Sequence, residues 1–82
     1  MADDEIRAQI PGTFYRRPDP DSETFVEVGD RVEEGTVIGL IEVMKQFHDV
    51  VAGSAGTLAS FEIDNEGIVS PGDIVARVER SE

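Results

Sequence analysis

The sequence predicts an all-β fold: a flattened barrel or sandwich of two similar four-stranded antiparallel sheets with a quasi-two-fold internal repeat. Three observations predict it. A turn-and-strand unit occurs twice. Its segments are short, rich in Val, Ile, Phe and Thr, and separated by glycine-containing turns. No stretch combines a 3.6-residue apolar period with helical caps.

The repeat is read by placing Val32–Glu42 over Val69–Glu79, an offset of 37 (69 − 32), each copy a glycine-closed turn followed by a strand. Upstream, Ala8 through Pro11-Gly12-Thr13-Phe14 resembles Ala52 through Ala55-Gly56-Thr57-Leu58, an offset of 44. The offsets differ by seven (44 − 37), so the first half carries about seven extra residues. Arg17-Pro18-Asp19-Pro20-Asp21-Ser22-Glu23 has the composition of a protruding loop and accounts for them. The expected organisation is one domain over residues 1–82, with halves at about 6–43 and 50–79 and the inserted loop at about 17–23.

Strand alternation assigns faces. In the last strand Ile74, Ala76 and Val78 are expected inside, and Val75, Arg77 and Glu79 outside. Shifted by 37, the phase places Val37, Gly39 and Ile41 inside and Ile38 and Leu40 outside. Ile6, Ala8 and Ile10 face inward near the start, and the offset of 44 carries this to Val50, Ala52 and Ser54. Opposed residues of an antiparallel pair share a face. Matching Gly39 with Val50 and Val37 with Ala52 therefore gives partners whose numbers sum to 89, centring a hairpin between Met44 and Lys45. Lys45 is at the tip.

Met44-Lys45 is a poor choice for a two-residue hairpin, which favours Asn-Gly or Asp-Gly because its central residues need positive φ. If the turn is as tight as the register implies, local turn chemistry did not select these residues; a four-residue loop with the same centre would weaken that argument but leave Lys45 at the tip. Lys45 is also the sole lysine; the other six of the seven basic residues are arginines. A bias toward arginine would leave the same count, but one lysine gives an amine-modifying enzyme a single side-chain target. An exposed lysine amine is protonated at neutral pH and a poor nucleophile, so it is better suited to be acted upon than to act.

The bulk composition fits a small soluble domain, or one that must move freely between larger partners without sticking to either. A formal net charge of −11 repels phosphate backbones and anionic lipid, which disfavours nucleic acid and membrane as partners. The absence of cysteine removes disulfides and thiolate chemistry. Met1-Ala2-Asp3-Asp4-Glu5 lacks the character of a secretion signal, and no apolar run is long enough to span a bilayer, so a cytoplasmic location is expected. His48, the lone histidine, has no ligand spacing for a metal. Glu42 and Asp49 flank the tip as surface charge or as recognition points for a modifying enzyme. No carboxylate pair, triad or phosphate-binding glycine loop is organised for catalysis.

Glu42-Val43-Met44-Lys45 resembles the attachment motif of biotinyl domains, in which methionine precedes the modified lysine. With Gly12-Thr13-Phe14-Tyr15-Arg16, the Pro-rich loop and Phe25-Val26-Glu27-Val28-Gly29, the chain from about Ile6 to Glu79 is similar to the biotin carboxyl carrier family of acetyl-CoA carboxylase. The resemblance implies that a biotin protein ligase joins biotin to Lys45, with Val43, Met44 and Gln46 as flanking recognition residues. Val43 and Gln46 stand where alanine and a second methionine are usual. It further implies that a biotin carboxylase charges the biotin, and that a carboxyltransferase passes the carboxyl group to an acyl-CoA. Acetyl-CoA going to malonyl-CoA for fatty acid synthesis is the favoured case. The carrier itself is then no enzyme, and the inserted loop corresponds to the thumb beside the biotin. The alternatives are a biotin carrier of a different carboxylase, a lipoyl carrier, whose lysine usually follows an acidic residue, or an unmodified docking module.

Overall fold

The computed structural model describes residues 3–19 and 21–80. Eight strands follow in order: β1 (Asp3–Arg7), β2 (Gly12–Tyr15), β3 (Arg31–Val32), β4 (Val37–Val43), β5 (Gln46–Val51), β6 (Gly56–Phe61), β7 (Gly67–Val69) and β8 (Ile74–Arg80). They form two four-stranded antiparallel sheets, β1-β8-β6-β3 and β5-β4-β2-β7, here called the first and second sheet. No helix occurs among the described residues, and none is therefore long and apolar enough to cross a membrane.

The repeat is visible in this order. The offsets carry β1 to β5, β2 to β6, β3 to β7 and β4 to β8, so each sheet maps onto the other while mixing strands from both halves. Turn hydrogen bonds repeat as well. Gly35 N–H donates to the Ala52 carbonyl at 2.8 Å, and Gly72 N–H to the Ala8 carbonyl at 2.9 Å. Both glycines have positive φ, +91° and +92°, which only glycine adopts at no steric cost. The core repeats in the same way. Ile6 and Val50, Ala8 and Ala52, Phe14 and Leu58, Val32 and Val69, Ile38 and Val75, and Ile41 and Val78 are all buried. Burial of these paired side chains between two sheets drives the fold, each contributing about 1.5–3 kcal/mol for the larger residues.

One expectation about faces is corrected, and its correction also repeats. Ile38 and Val75, expected outside, are both 0% exposed. In the β4–β5 pairing Val37 opposes Val51 while Gly39 opposes Val50, so Ile38 is an unpaired bulge residue. In β1–β8 Arg7 opposes Ile74 while Ile6 opposes Ala76, leaving Val75 in the same position. A bulge inserts one residue and breaks strict alternation, so two consecutive side chains turn inward. The expected Val37–Ala52 pair is shifted by one for this reason. Val37 and Ile74, each next to a bulge, are half-buried rather than inside, and so are Ile10 and Ser54.

The inserted segment contains no strand among its described residues; Pro20 lies outside them. Phe25 N–H donates to the Arg16 carbonyl at 2.9 Å and closes the loop at its base. Within it the Asp19 carboxylate accepts from Asp21 N–H at 3.0 Å and from the Ser22 hydroxyl at 2.8 Å. The Arg16 guanidinium lies 4.1 Å from the centroid of the Phe61 ring and anchors the base to the barrel.

Candidate functional site

The β4–β5 hairpin holds the predicted register. Val43 opposes Gln46, Glu42 opposes Phe47, Ile41 opposes His48, and Gly39 opposes Val50, each pair summing to 89. The loop is therefore two residues, Met44 and Lys45, with φ of 52° and 66°. Both occupy the left-handed region, as a twist-matched two-residue turn requires. For side chains with a Cβ this costs about 1–2 kcal/mol per residue. Replacing Met44-Lys45 with Asn-Gly is expected to raise unfolding stability by about 1–2 kcal/mol in urea titration. An unchanged or lower midpoint would show that the turn carries no such strain.

The tip presents its side chains outward. Met44 is 91% exposed, and Lys45 and Gln46 are exposed as well. Lys45 enters no hydrogen bond or ion pair among the described residues. Just behind the tip the hairpin is fixed: Val43 packs against the core cluster, and Ile41 is 2% exposed. A rigid base thus carries a free amine on a flexible stem. His48 and Asp49 are exposed on β5, opposite Ile41 and Leu40. No group of three His, Asp or Glu side chains able to hold a metal occurs among the described residues.

Glu42 has a partner that the motif does not reveal. The Tyr15 hydroxyl donates to its carboxylate at 3.1 Å, and the Tyr15 and Phe47 rings lie 6.3 Å apart at 57°. These residues and Arg17, Pro18 and Asp19 line a cleft of roughly 320 Å³ between the second sheet and the inserted loop. Tyr15 and Phe47 were missed because β2 pairs with β4 through a long-range contact, Tyr15 with Leu40. Alternation alone, with buried Phe14 beside it, could have placed Tyr15 on the outer face.

The hydrogen bond to Glu42 raises the Tyr15 pKa above 10.0, with desolvation adding in the same direction. Tyr15 is the only tyrosine, so ultraviolet absorbance titration reads it alone. Its ionisation is expected above that of a free tyrosine, and Glu42→Gln should return it toward the free value. Because the folded value is the higher one, any stability linked to this proton is present below the unfolded pKa and lost as pH rises through the folded one.

A family model described as Biotin-requiring enzyme matches residues 4–78. The biotin carboxyl carrier protein of acetyl-CoA carboxylase from Chlamydia pneumoniae is 39% identical over 75 residues, covering 92% of this chain and 45% of that protein. The chloroplastic protein of the same description from Glycine max is 37% identical over 65 residues, covering 79% of this chain and 25% of that protein. The chain thus spans less than half the length of these relatives. Among solved structures, the Kluyveromyces lactis urea carboxylase superposes with a TM-score of 0.80 at 26% identity, over 96% of this chain and 6% of that one.

Proposed function

The chain belongs to the biotin-requiring enzyme family, and from that membership we propose that Lys45 is the attachment point of a covalent biotin. The observation that carries this reading is the tip itself: a sole lysine, exposed and unpaired, on a turn whose φ values its residues do not favour. The fit is chemical as well as steric. A biotin protein ligase would use ATP to activate the biotin carboxyl, and Lys45 Nζ, losing a proton, would form the amide as AMP leaves; among the described residues this amine has no partner to be displaced. Met44, Val43 and Gln46 frame the lysine as recognition residues, Met44 and Gln46 by exposure and Val43 by holding the turn.

On this reading the chain is a single non-catalytic carrier domain, with residues 17–23 as the thumb beside the tip. When bound, biotin supplies an acceptor for a carboxyl unit derived from bicarbonate. The chain's own part is positioning: the rigid hairpin and flexible lysine stem raise the local concentration of the carried unit at two active sites. Those sites belong to a biotin carboxylase and a carboxyltransferase. The relatives are described as carriers of acetyl-CoA carboxylase, which supports acetyl-CoA as the acceptor; the product would then be malonyl-CoA for fatty acid synthesis, with the cytoplasmic location expected from the sequence.

The test uses the chain after incubation with biotin protein ligase, then with biotin carboxylase, ATP and labelled bicarbonate. The proposal expects acid-labile label on the chain, dependent on prior biotinylation. Label that appears without biotinylation, or none on a fully biotinylated chain, would contradict it.

A further inference from the structure

The quasi-two-fold repeat supplies an internal control for the outer faces of the two sheets. On the first sheet, one outward row runs Arg31, Thr57, Glu79, Asp3 and the next runs Ser60, Arg77, Glu5. At corresponding places on the second sheet stand Ile68, Thr13, Glu42, Phe47 and then Tyr15, Leu40, Asp49. The backbone environments correspond, yet the chemistry does not. The first face is charged and ion-paired at its centre: Glu5 pairs with Arg7 at 2.5 Å and with Arg77 at 2.8 Å. The second carries Ile68 at 76% and Phe47 at 55% exposure. Its carboxylates Glu42, Asp49 and Glu66 meet no cation within ion-pair distance among the described residues. The fold's demands are met by the first face, so they do not explain the second.

Glu66 gives an independent sign. It lines the cleft beside Tyr15 with φ at 69°, donating its N–H to the Phe14 carbonyl. Its counterpart 37 residues earlier is Gly29, φ 99°, donating to the Leu58 carbonyl in the same way. A carboxylate is kept on this face where the backbone favours glycine.

We propose that the outer face of the second sheet, centred on Phe47, Leu40 and Ile68 and rimmed by Glu42, Asp49 and Glu66, is the docking surface for the biotin carboxylase. This rests on the reading of Lys45 given above. An apolar centre with an unpaired acidic rim fits a protein surface of apolar centre and Arg/Lys rim. An enzyme that gathers ATP and bicarbonate, both anions, focuses positive potential at its active-site mouth. A second copy of this chain would oppose acid to acid. The face begins two residues from Lys45, so docking there leaves the tip directed along the contact rather than beneath it.

The experiment compares two paired variants of the full chain, both biotinylated and checked by intact mass and thermal melting. Phe47→Ser with Ile68→Ser alters the second face; Asp3→Asn with Arg31→Ser alters corresponding places on the first. The second-face pair is expected to raise both the Kd for biotin carboxylase and the KM of the chain as its substrate about tenfold, with kcat retained. The first-face pair should stay within about twofold. Salt should weaken wild-type binding, and Asp49→Asn with Glu66→Gln should flatten that dependence. Equal effects of the two pairs, or wild-type self-association relieved by Phe47→Ser, would overturn the proposal. Biotin content read on the same samples separates the two claims: incomplete modification bears on Lys45, and lost affinity at full modification bears on the face.

Discussion

Lys45→Arg is expected to abolish biotin incorporation while leaving the fold intact. Arginine keeps the charge and nearly the length, so electrostatics and surface packing are preserved, but its delocalised guanidinium does not form the amide. Lys45 has no hydrogen bond or ion pair among the described residues, so the stability change should fall within about 0.5 kcal/mol. The turn supports this, because arginine at φ 66° meets the same strain as lysine. The expected result is no mass increment with biotin protein ligase and an unchanged melting curve. Wild-type-like labelling of this variant would place the modification elsewhere, and the α-amino group would be the first place to look.

Gly39→Ala is expected to destabilise the domain by about 2–3 kcal/mol, although its quasi-equivalent position is already alanine, Ala76. A Cβ on Gly39 would lie 2.4 Å from Phe14 Cε1, 2.7 Å from Phe14 Cζ and 2.7 Å from the Tyr15 carbonyl oxygen. Ala76 faces the half of the core where Leu58 stands in place of Phe14, and it is fully buried. Large-with-none on one side matches medium-with-small on the other. Phe14→Leu alone should cost about 1–2 kcal/mol through lost volume. The double variant should be more stable than Gly39→Ala alone, with a coupling of about 1 kcal/mol or more in urea denaturation. Strict additivity would show that the Tyr15 backbone, rather than the Phe14 ring, is what excludes the Cβ.

The repeat explains why so much of this molecule was legible. Two offsets, 37 and 44, were enough to relate equivalent strands, place most of the core and centre the hairpin, because the quasi-two-fold copies each constraint. Lys45 followed from register and not from the motif alone. Ile38 and Val75 were misplaced because a bulge has no signature in apolar alternation: an isoleucine and a valine suit either face of a pleated strand. The same repeat could not flag the bulge, since both copies carry it. Tyr15 and Phe47 escaped for a different reason. Their contact joins β2 to β5 across β4, and the repeat relates equivalent strands without saying which become neighbours.

The central claim is that one amine of this chain is built to receive a carried group. It is tested most directly by treating the purified chain separately with biotin protein ligase and with lipoate protein ligase, each with its cofactor and ATP, then fragmenting it for mass spectrometry. The account predicts a single biotin-sized increment, confined to fragments that contain Lys45, and none from the lipoate reaction. A lipoyl-sized increment, or biotin on any fragment without Lys45, would contradict it.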